Sequence, residues 1–336
     1  MKAYVLKSKG KPSVLKLSEV PDPVPAKDEV LVQMKYIGIN YAEIMSRKGL
    51  YGWAPKRPYI LGMEGSGVIV AVGEGVDQDL IGHEVMVGTQ FGCYTEKIVV
   101  PQERAIPCMP NYSLKESAAF LVNYMTAWMA LIELAKIQKK EKVLITAAAG
   151  GVGTAAIQIA SKIGCRVYGL AGSKDKISYI KTLGAKQGFN YREKDCFEKL
   201  QKATDGIDVI IEMVGGRVYK ESFKLLNPLG RIIVIGFASL DIKWWNPVSW
   251  WKTIRDIPRM KIMSLAEKSA GIMASHLGYL LDNPKLMIAV FNRLKDFIIE
   301  NNIKPEIGKI FPFEQVAQAH EFIESRKSIG KILLKI

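Results

Sequence analysis

Apolar and polar positions divide this chain into a strand-rich first part and a second part in which strands and helices alternate. Short β-branched runs bounded by Pro, Gly and Asp fill residues 1–122, as in EVLVQMKYIGIN (29–40) and YTEKIVVP (94–101). Such runs predict β-strands, and several of them at this spacing predict a partly open barrel. From Leu114 to Ala135 the apolar spacing becomes helical.

Alternating elements follow that helical stretch. We predict strands over 143–146, 166–170, 188–190, 209–212 and 231–236, with another near 270–275, and helices over 151–163, 175–183, 196–203 and 219–226. Strands separated by helices of this length form a parallel, doubly wound sheet. Two further helices (284–300 and 313–325) and a strand (331–335) make up a tail that we expect to return to the first lobe. The expected domains are therefore 1–122, 123–282 and 283–336, with a substrate cleft between the lobes.

A glycine-rich turn joins the first strand of the sheet to its helix, in KVLITAAAGGVGTAAIQIAS (142–161). Glycine allows a tight turn and a close approach of the backbone to a ligand, and a helix N-terminus attracts phosphate. In the fingerprint G-x-G-x-x-G, Ala148 takes the first position, Gly150 the second and Gly153 the third. A tight connection without a ligand is the alternative, but the strand before and the helix after favour a dinucleotide site.

The end of the next strand indicates which dinucleotide is bound. An acidic residue follows this strand in NAD-binding proteins and holds the ribose 2′-hydroxyl. Here Gly172 takes that place, and Ser173, Lys174 and Lys176 follow it. A hydroxyl and positive charge in place of a carboxylate favour NADPH over NADH, although Ser173 could also cap the next helix.

Composition and charge bear on whether the protein binds nucleic acid, is secreted or spans a membrane. The 336 residues carry a formal net charge of +14, which could indicate nucleic-acid binding. However, the basic residues are spread along the chain without a nucleic-acid motif, so we expect no nucleic-acid partner. The N-terminus lacks a signal-peptide pattern, no apolar run is long enough to cross a membrane, and the four cysteines are scattered. These features predict a cytoplasmic protein with reduced thiols.

Seven stretches that run nearly end to end resemble the medium-chain dehydrogenase/reductase superfamily, and within it the zinc-free quinone oxidoreductases of the zeta-crystallin type. They are GINYAEIMSRKGLY (38–51), LGMEGSGVIVAVGEGV (61–76), LVNYMTAWMAL (121–131), AAAGGVGTAAIQIA (147–160), LAGSKDKISYIKTLGA (170–185), NYR (190–192) and SRKSIGKILL (325–334). WWNPVSWWK (244–252), HLGYL (276–280) and IKPEI (303–307) are similar to the vesicle amine transport protein-1 branch. The resemblance implies a GroES-like lobe and a Rossmann domain.

The sequence departs from the zinc-dependent members of the superfamily. The region expected to supply the first cysteine ligand reads Gly38-Ile39-Asn40-Tyr41, and Met63 stands where a histidine would precede Glu64. A thioether is not a normal zinc ligand. His83 and Glu84 have no partner ligands nearby in the sequence. We therefore expect no metal, and a substrate that is already electrophilic, such as a quinone or an α,β-unsaturated carbonyl.

The resemblance also implies roles for individual residues. Asn40 would bind near the nicotinamide ribose or the substrate carbonyl, Tyr41 and Tyr51 would line the cleft, and Tyr51 could donate a proton or simply form part of the wall. Glu64 is interpreted as a buried structural acceptor. The implied cofactor-binding residues are Asn40, Thr126, Gly150, Gly151, Val152, Gly153, Gly172, Ser173, Lys176, Tyr191, Gly236, Phe237 and Arg326.

Two pairs of tryptophans near basic residues have more than one possible role. Trp244, Trp245, Trp250 and Trp251 could pack in a cleft or interface, contact a membrane peripherally, or lie in a buried insertion. The leading hypothesis is an NADPH-dependent, zinc-independent oxidoreductase of quinones or enones, which the resemblance predicts to be a homodimer. The alternative is an NADPH-binding protein of the vesicle amine transport protein-1 type that binds a partner or membrane and has little turnover.

Overall fold

The computed structural model describes residues 1–236, 238 and 262–336. Its strands are β1 (Lys2–Leu6), β2 (Leu17–Glu19), β3 (Glu29–Ile39), β4 (Tyr59–Ile60), β5 (Glu64–Val72), β6 (Glu84–Gly88), β7 (Lys97–Pro101), β8 (Ala105–Pro107), β9 (Lys142–Ile145), β10 (Arg166–Ala171), β11 (Gln187–Asn190), β12 (Ile207–Glu212), β13 (Leu226–Val234), β14 (Gly271–Ala274), β15 (Ile307–Pro312) and β16 (Lys331–Lys335). Its helices are α1 (Tyr41–Lys48), α2 (Leu114–Ser117), α3 (Leu121–Trp128), α4 (Gly151–Ile163), α5 (Lys174–Thr182), α6 (Cys196–Thr204), α7 (Gly216–Lys224), α8 (Ile262–Ala266), α9 (Pro284–Glu300) and α10 (Val316–Glu324).

The first of two units, called the β lobe here, comprises Met1–Met125 and Gly278–Ile336. Its larger sheet has the order β15-β16-β3-β5-β6-β8, with β7 also paired to β3. Val30, Val32 and Met34 alternate along β3 into the apolar core, as expected for a strand with one buried face. The C-terminal elements contribute to the same core, because Phe311, Val316 and Leu334 pack in it.

The second unit, Thr126–Leu277, is called the nucleotide domain here. Its six strands form one parallel sheet in the order β11-β10-β9-β12-β13-β14, which is the predicted doubly wound arrangement. The central strands β9 and β12 have continuous apolar runs with no exposed surface, because both faces of the sheet are covered. Several residues predicted to bind the cofactor follow the carboxyl ends of these strands: Gly150 follows β9, Gly172 follows β10, Tyr191 follows β11 and Gly236 follows β13.

Several element boundaries differ from the predictions. The helical stretch at 114–135 is divided into α2, α3 and a π-helical turn over Met129–Leu134. Helix α7 begins at Gly216, three residues earlier than predicted, because the Glu212 carboxylate organises the preceding loop. The backbone N–H groups of Val214 and Gly215 both donate to its Oε1 atom at 2.6 Å. The tail helix begins with a 3₁₀ turn over Phe313–Gln315 before α10.

Candidate functional site

The predicted dinucleotide turn lies between β9 and α4, and Gly150 is the N-cap residue of α4. A Cβ atom on Gly153 would lie 2.5 Å from the Ala147 carbonyl oxygen and 2.6 Å from that of Ala148. Only glycine therefore allows α4 to approach the turn this closely. Ala147 has a φ of +47°, a conformation that is costly for a residue with a Cβ atom. The backbone of this turn is thus shaped against local preference, as is common where a ligand binds.

The alanine at the first fingerprint position is accommodated by a glycine on the neighbouring strand. A Cβ atom on Gly169 of β10 would lie 2.9 Å from the Cβ atom of Ala148. The Ala148 N–H also donates to the Leu170 carbonyl, so the turn is fixed to β10. Gly169 therefore lets the turn pack closely against β10 although alanine stands where the fingerprint has its first glycine.

The turn is also fixed to β12. The Thr146 hydroxyl donates to the Ile211 carbonyl at 3.3 Å and accepts from the Met213 N–H at 2.8 Å. Glu212, between those two residues, has no exposed surface. Burial raises its pKa from 4.5 to about 7, against the opposing effects of the hydrogen bonds from the Gly215 and Val214 N–H groups. Within the described residues, its Oε2 atom has no hydrogen-bond partner.

The residues predicted to select NADPH are brought together at the carboxyl ends of β10 and β11. Gly172 lies against Tyr191, since a Cβ atom on Gly172 would be 2.9 Å from the tyrosine hydroxyl oxygen. Ser173 caps α5 by accepting from the Lys176 N–H at 3.4 Å, which confirms the capping alternative. Burial, and next the positive charge of Arg192, lower the pKa of Lys176.

Two arginines that the sequence analysis did not select lie at the same place. The Arg192 guanidinium lies over the Tyr191 ring, 5.9 Å from its centroid. Arg217, near the start of α7, donates to the Tyr191 carbonyl at 2.5 Å. Arg192 directly follows a matched tyrosine and could have been identified, whereas Arg217 is 26 residues away from Tyr191 and carries no local signal.

In the β lobe, Asn40 belongs to a buried cluster of charged side chains. Its other members are Glu43 on α1, Glu64 at the start of β5 and Lys331 at the start of β16, and their exposed fractions range from 0 to 2%. Lys331 forms an ion pair with Glu64 and donates to the Asn40 Oδ1 atom at 2.6 Å. Gly38 makes room for this pair, because a Cβ atom there would lie 2.8 Å from both the Glu64 Cγ and the Lys331 Cε atoms.

The polar atoms of this cluster hydrogen-bond to one another. The Asn40 amide nitrogen donates to Glu64 at 3.1 Å and to Glu43 at 3.3 Å. Both Glu64 oxygens are also engaged, since Oε2 accepts from the Val122 N–H at 2.9 Å while Oε1 bonds to Asn40 and Lys331. Glu64 is therefore a buried acceptor, as predicted.

Glu43 is fully buried and accepts from the backbone N–H groups of Asn40 at 2.6 Å and Met63 at 3.0 Å. Burial raises its pKa from 4.5 to about 7, although Lys331 and the bonds from Asn40 act in the opposite direction. Met63 occupies the position of the missing histidine. The hydrogen bond from the Met63 N–H group to Glu43 places Met63 against this carboxylate.

The two predicted tyrosines lie at the ends of the same helical segment. Tyr41 is the first residue of α1 and is half-buried, and Tyr51 lies just after α1. The Tyr51 ring makes an edge contact with Trp53, with 6.4 Å between the ring centroids, and Trp53 in turn contacts Tyr279. Burial, followed by the negative charge of Glu43, raises the pKa of Tyr51. Tyr51 thus retains its proton at neutral pH.

The remaining predicted residues are placed as follows. Thr126 on α3 and Val152 on α4 are half-buried, as is Gly151 at the start of α4. Gly236 follows β13 and lies near the Met213 backbone, while Arg326 is exposed after α10 with a φ of +57°. Phe237 and the four tryptophans of the 244–251 segment lie outside the described residues.

Among residues 1–236, 238 and 262–336, no three His, Cys, Asp or Glu side chains gather as a metal ion would require. In the same ranges, no helix combines the length and the apolar character needed to cross a bilayer.

Comparisons with known proteins agree with this architecture. Residues 151–288 match the family model described as zinc-binding dehydrogenase, and residues 26–111 match that of the alcohol dehydrogenase GroES-like domain. The human synaptic vesicle membrane protein VAT-1 homolog is 32% identical over 99% of this chain and 86% of its own length. Rat quinone oxidoreductase is 34% identical over 97% of this chain and 94% of its own length.

A solved structure shows the same fold. Escherichia coli quinone oxidoreductase in complex with NADPH superposes with a TM-score of 0.88 at 27% identity, with both chains covered completely. The bound NADPH of that relative agrees with the cofactor predicted from Gly172, Ser173 and Lys176. Since two groups of relatives exceed 30% identity over nearly the whole chain, and since the GroES-like lobe and the parallel Rossmann sheet are both present, this chain belongs to the medium-chain dehydrogenase/reductase family of oxidoreductases.

Proposed function

We propose that this protein is an NADPH-dependent, zinc-independent oxidoreductase that transfers hydride to a quinone or an α,β-unsaturated carbonyl. The observation that carries the proposal is the hydrogen bonding of Glu64, which lies in the motif where related enzymes hold zinc. Lys331, Asn40 and the Val122 N–H occupy both of its oxygens. A carboxylate that is already paired in this way is poorly suited to bind a metal ion. This poor fit favours a substrate that is electrophilic without the help of a metal ion.

Backbone groups of the nucleotide domain would hold the cofactor. The N-terminus of α4 would offer backbone N–H groups to a phosphate, Gly150 is its N-cap residue, and Gly153 lets α4 approach the turn closely. Gly172 makes room for the Tyr191 side chain, and Lys176 would add positive charge for a 2′-phosphate. When bound there, NADPH supplies the hydride, and the protein supplies position and exclusion of water.

In the β lobe, Tyr51 and Tyr41 are proposed to contact the substrate. Tyr51 remains protonated at neutral pH, so its hydroxyl can donate a hydrogen bond to the oxygen on which negative charge develops. The proton that completes the product would come from Tyr51 or from water. The proposed cofactor contacts of Thr126, Val152, Gly236 and Arg326 follow from the family resemblance.

Asn40 is better suited to positioning than to direct contact with the substrate. Its oxygen accepts from Lys331 and its nitrogen donates to two carboxylates. We propose that these bonds hold the start of α1, and with it Tyr41, in a fixed place. Asn40 would then affect the reaction through the orientation of its neighbours.

The experiment that tests the function is NADPH oxidation by the pure protein with a panel of quinones and 2-alkenals, with NADH in parallel. We expect turnover with NADPH, slower turnover with NADH, and no change on addition of a strong chelator. Activity that disappears with chelator and returns with zinc would contradict the zinc-independent mechanism. Tyr51→Phe keeps the ring contact with Trp53 and removes only the hydroxyl, so a lower kcat would support its proposed hydrogen bond.

A second function is supported by the similarity to the human synaptic vesicle membrane protein VAT-1 homolog. In this proposal the protein binds NADPH but mainly interacts with a partner or a membrane surface. Tight NADPH binding without turnover on any acceptor in the panel would favour it over the reductase. A homodimer and a cytoplasmic location remain predictions, which size-exclusion chromatography with light scattering and cell fractionation would test.

A further inference from the structure

Tyr191 is held from two directions at the end of β11. Its side chain packs over Gly172, and its carbonyl oxygen accepts a hydrogen bond of 2.5 Å from the Arg217 guanidinium. That guanidinium is also held above the Phe197 ring, 5.5 Å from its centroid. Arg217 therefore fixes the backbone of the Tyr191–Arg192 segment while its own side chain is restrained by α6.

The position of Arg217 depends on the carboxyl end of β12. Arg217 is the second residue of α7, and the N–H of the N-cap residue Gly215 donates to Glu212. The adjacent Met213 N–H donates to Thr146, which begins the dinucleotide turn. The start of α7 is thus connected to the turn by hydrogen bonds from backbone N–H groups to the Glu212 and Thr146 side chains, so Arg217 has a defined place relative to the turn.

Positive charges accumulate around Tyr191. Arg192 lies over its ring, and the charge of Arg192, after burial, lowers the pKa of Lys176. Arg217 adds a third cation through its bond to the carbonyl. Within the described part of the chain, that carbonyl is the one acceptor hydrogen-bonded to the Arg217 side chain, which is exposed. Since a guanidinium has five N–H donors, others remain for a ligand.

Cations crowded in this way repel one another unless an anion lies among them. We infer that Arg217 determines selectivity for a 2′-phosphorylated dinucleotide, by holding the Tyr191–Arg192 segment in place and by adding its own charge to the phosphate site. Arginine suits this role because its rigid fork can donate to a carbonyl and a phosphate at once. The inference rests on the proposed NADPH-dependent function. It assigns part of the selectivity for NADPH to a residue that does not directly follow β10 or β11.

The test is a fluorescence titration of the full-length protein with NADPH and, separately, with NADH. Arg217→Gln removes the charge, Arg217→Lys keeps it without the fork, and Lys220→Gln removes an exposed charge from the same helix as a matched control. We expect Arg217→Gln to weaken NADPH about tenfold, as for loss of a charge-assisted hydrogen bond, and to change the NADH affinity less than about twofold. Arg217→Lys should lie between the wild type and Arg217→Gln.

The outcomes separate this inference from the proposed function. Unchanged NADPH affinity in Arg217→Gln would overturn the selectivity role, because it would exclude a contact with the phosphate. An equal loss of affinity for NADPH and NADH would also overturn it, because it would indicate general damage to α7. A loss of NADPH affinity in Lys220→Gln as large as that in Arg217→Gln would overturn it as well. Failure of the wild-type protein to bind NADPH would instead contradict the proposed function itself.

Discussion

The two charged sites of this protein use their charges in opposite ways. In the β lobe, Glu64 and Lys331 are 1% and 2% exposed and satisfy each other, with Asn40 between them. In the nucleotide domain, Arg192 and Arg217 are exposed and surround a tyrosine. Buried charges need internal partners, because removing them from water is costly, whereas exposed cations keep donors for a ligand. The first site therefore positions the lobe, and the second is suited to binding an anion.

The strongest test of this contrast is Lys331→Met, which leaves Glu64 buried without its cation. We expect the free energy of unfolding to fall by about 3–5 kcal/mol, the usual effect of breaking a buried pair. Urea denaturation followed by circular dichroism would measure it. Lys335→Met, at the exposed end of the same strand, is the control and should change stability by less than about 0.5 kcal/mol. A loss below about 1 kcal/mol in Lys331→Met would mean that the pair is not buried as described.

A second test uses Glu212→Gln, which preserves the acceptor for Val214 and Gly215 and removes the buried charge. The folded-state pKa of Glu212 is raised from 4.5 to about 7, so its stabilising contribution is complete below 4.5 and is lost as the pH rises through 7. The variant should therefore gain up to about 3 kcal/mol over the wild type at pH 8.

At pH 4.5 most of this difference should vanish, because the carboxyl is then largely neutral in the folded protein and about half-neutral in the unfolded chain. Chemical denaturation across this pH range would measure the change. An equal difference at both pH values would show that ionisation of Glu212 does not affect folding.

The backbone of the dinucleotide turn can be tested by two alanine substitutions. Gly153→Ala forces a Cβ atom against two carbonyl oxygens at 2.5 and 2.6 Å, so we expect a loss of about 1–3 kcal/mol in stability and more than tenfold weaker NADPH binding. At Gly150 a Cβ atom would be 3.3 Å from the Ala147 carbonyl oxygen, which is a milder contact. Gly150→Ala should therefore lose less stability than Gly153→Ala and still lose dinucleotide affinity. Thermal melts and NADPH titration would distinguish the two, and unchanged NADPH affinity in Gly150→Ala would contradict close backbone contact there.

The smallest effect on stability is expected for the exposed cations. Arg192→Gln should change the free energy of unfolding by less than about 0.5 kcal/mol, because the side chain lies on the surface. The same variant should raise the KM for NADPH several-fold and leave that for NADH unchanged. Lys194→Gln, two residues away and also exposed, provides the control. If Arg192→Gln destabilised the protein as strongly as Lys331→Met, the contrast between the two sites would be lost.

Sequence patterns predicted much of the nucleotide domain because its signals are local. Buried strands of the parallel sheet are continuous apolar runs, and a glycine turn before a helix can be identified within 20 residues. The less successful boundaries have causes that the apolar pattern does not show. Helix α7 begins early because the Glu212 side chain accepts from the N–H groups of Val214 and Gly215, two and three residues later. The register shift between β12 and β13 accompanies an earlier start of β13.

The amino-acid sequence by itself determined the kinds of chemistry present: the glycine turn, the glycine that stands directly after β10 in place of a carboxylate, and methionine in place of a zinc-ligand histidine. Only the tertiary structure decided which charges meet. Lys331 reaches Glu64 across 267 residues because β16 pairs with β3 beside β5, and Arg217 on α7 reaches the Tyr191 carbonyl across 26 residues. Neighbouring residues determine the local backbone conformation. The partner of a buried or clustered charge depends instead on sheet order and register, which no short segment specifies.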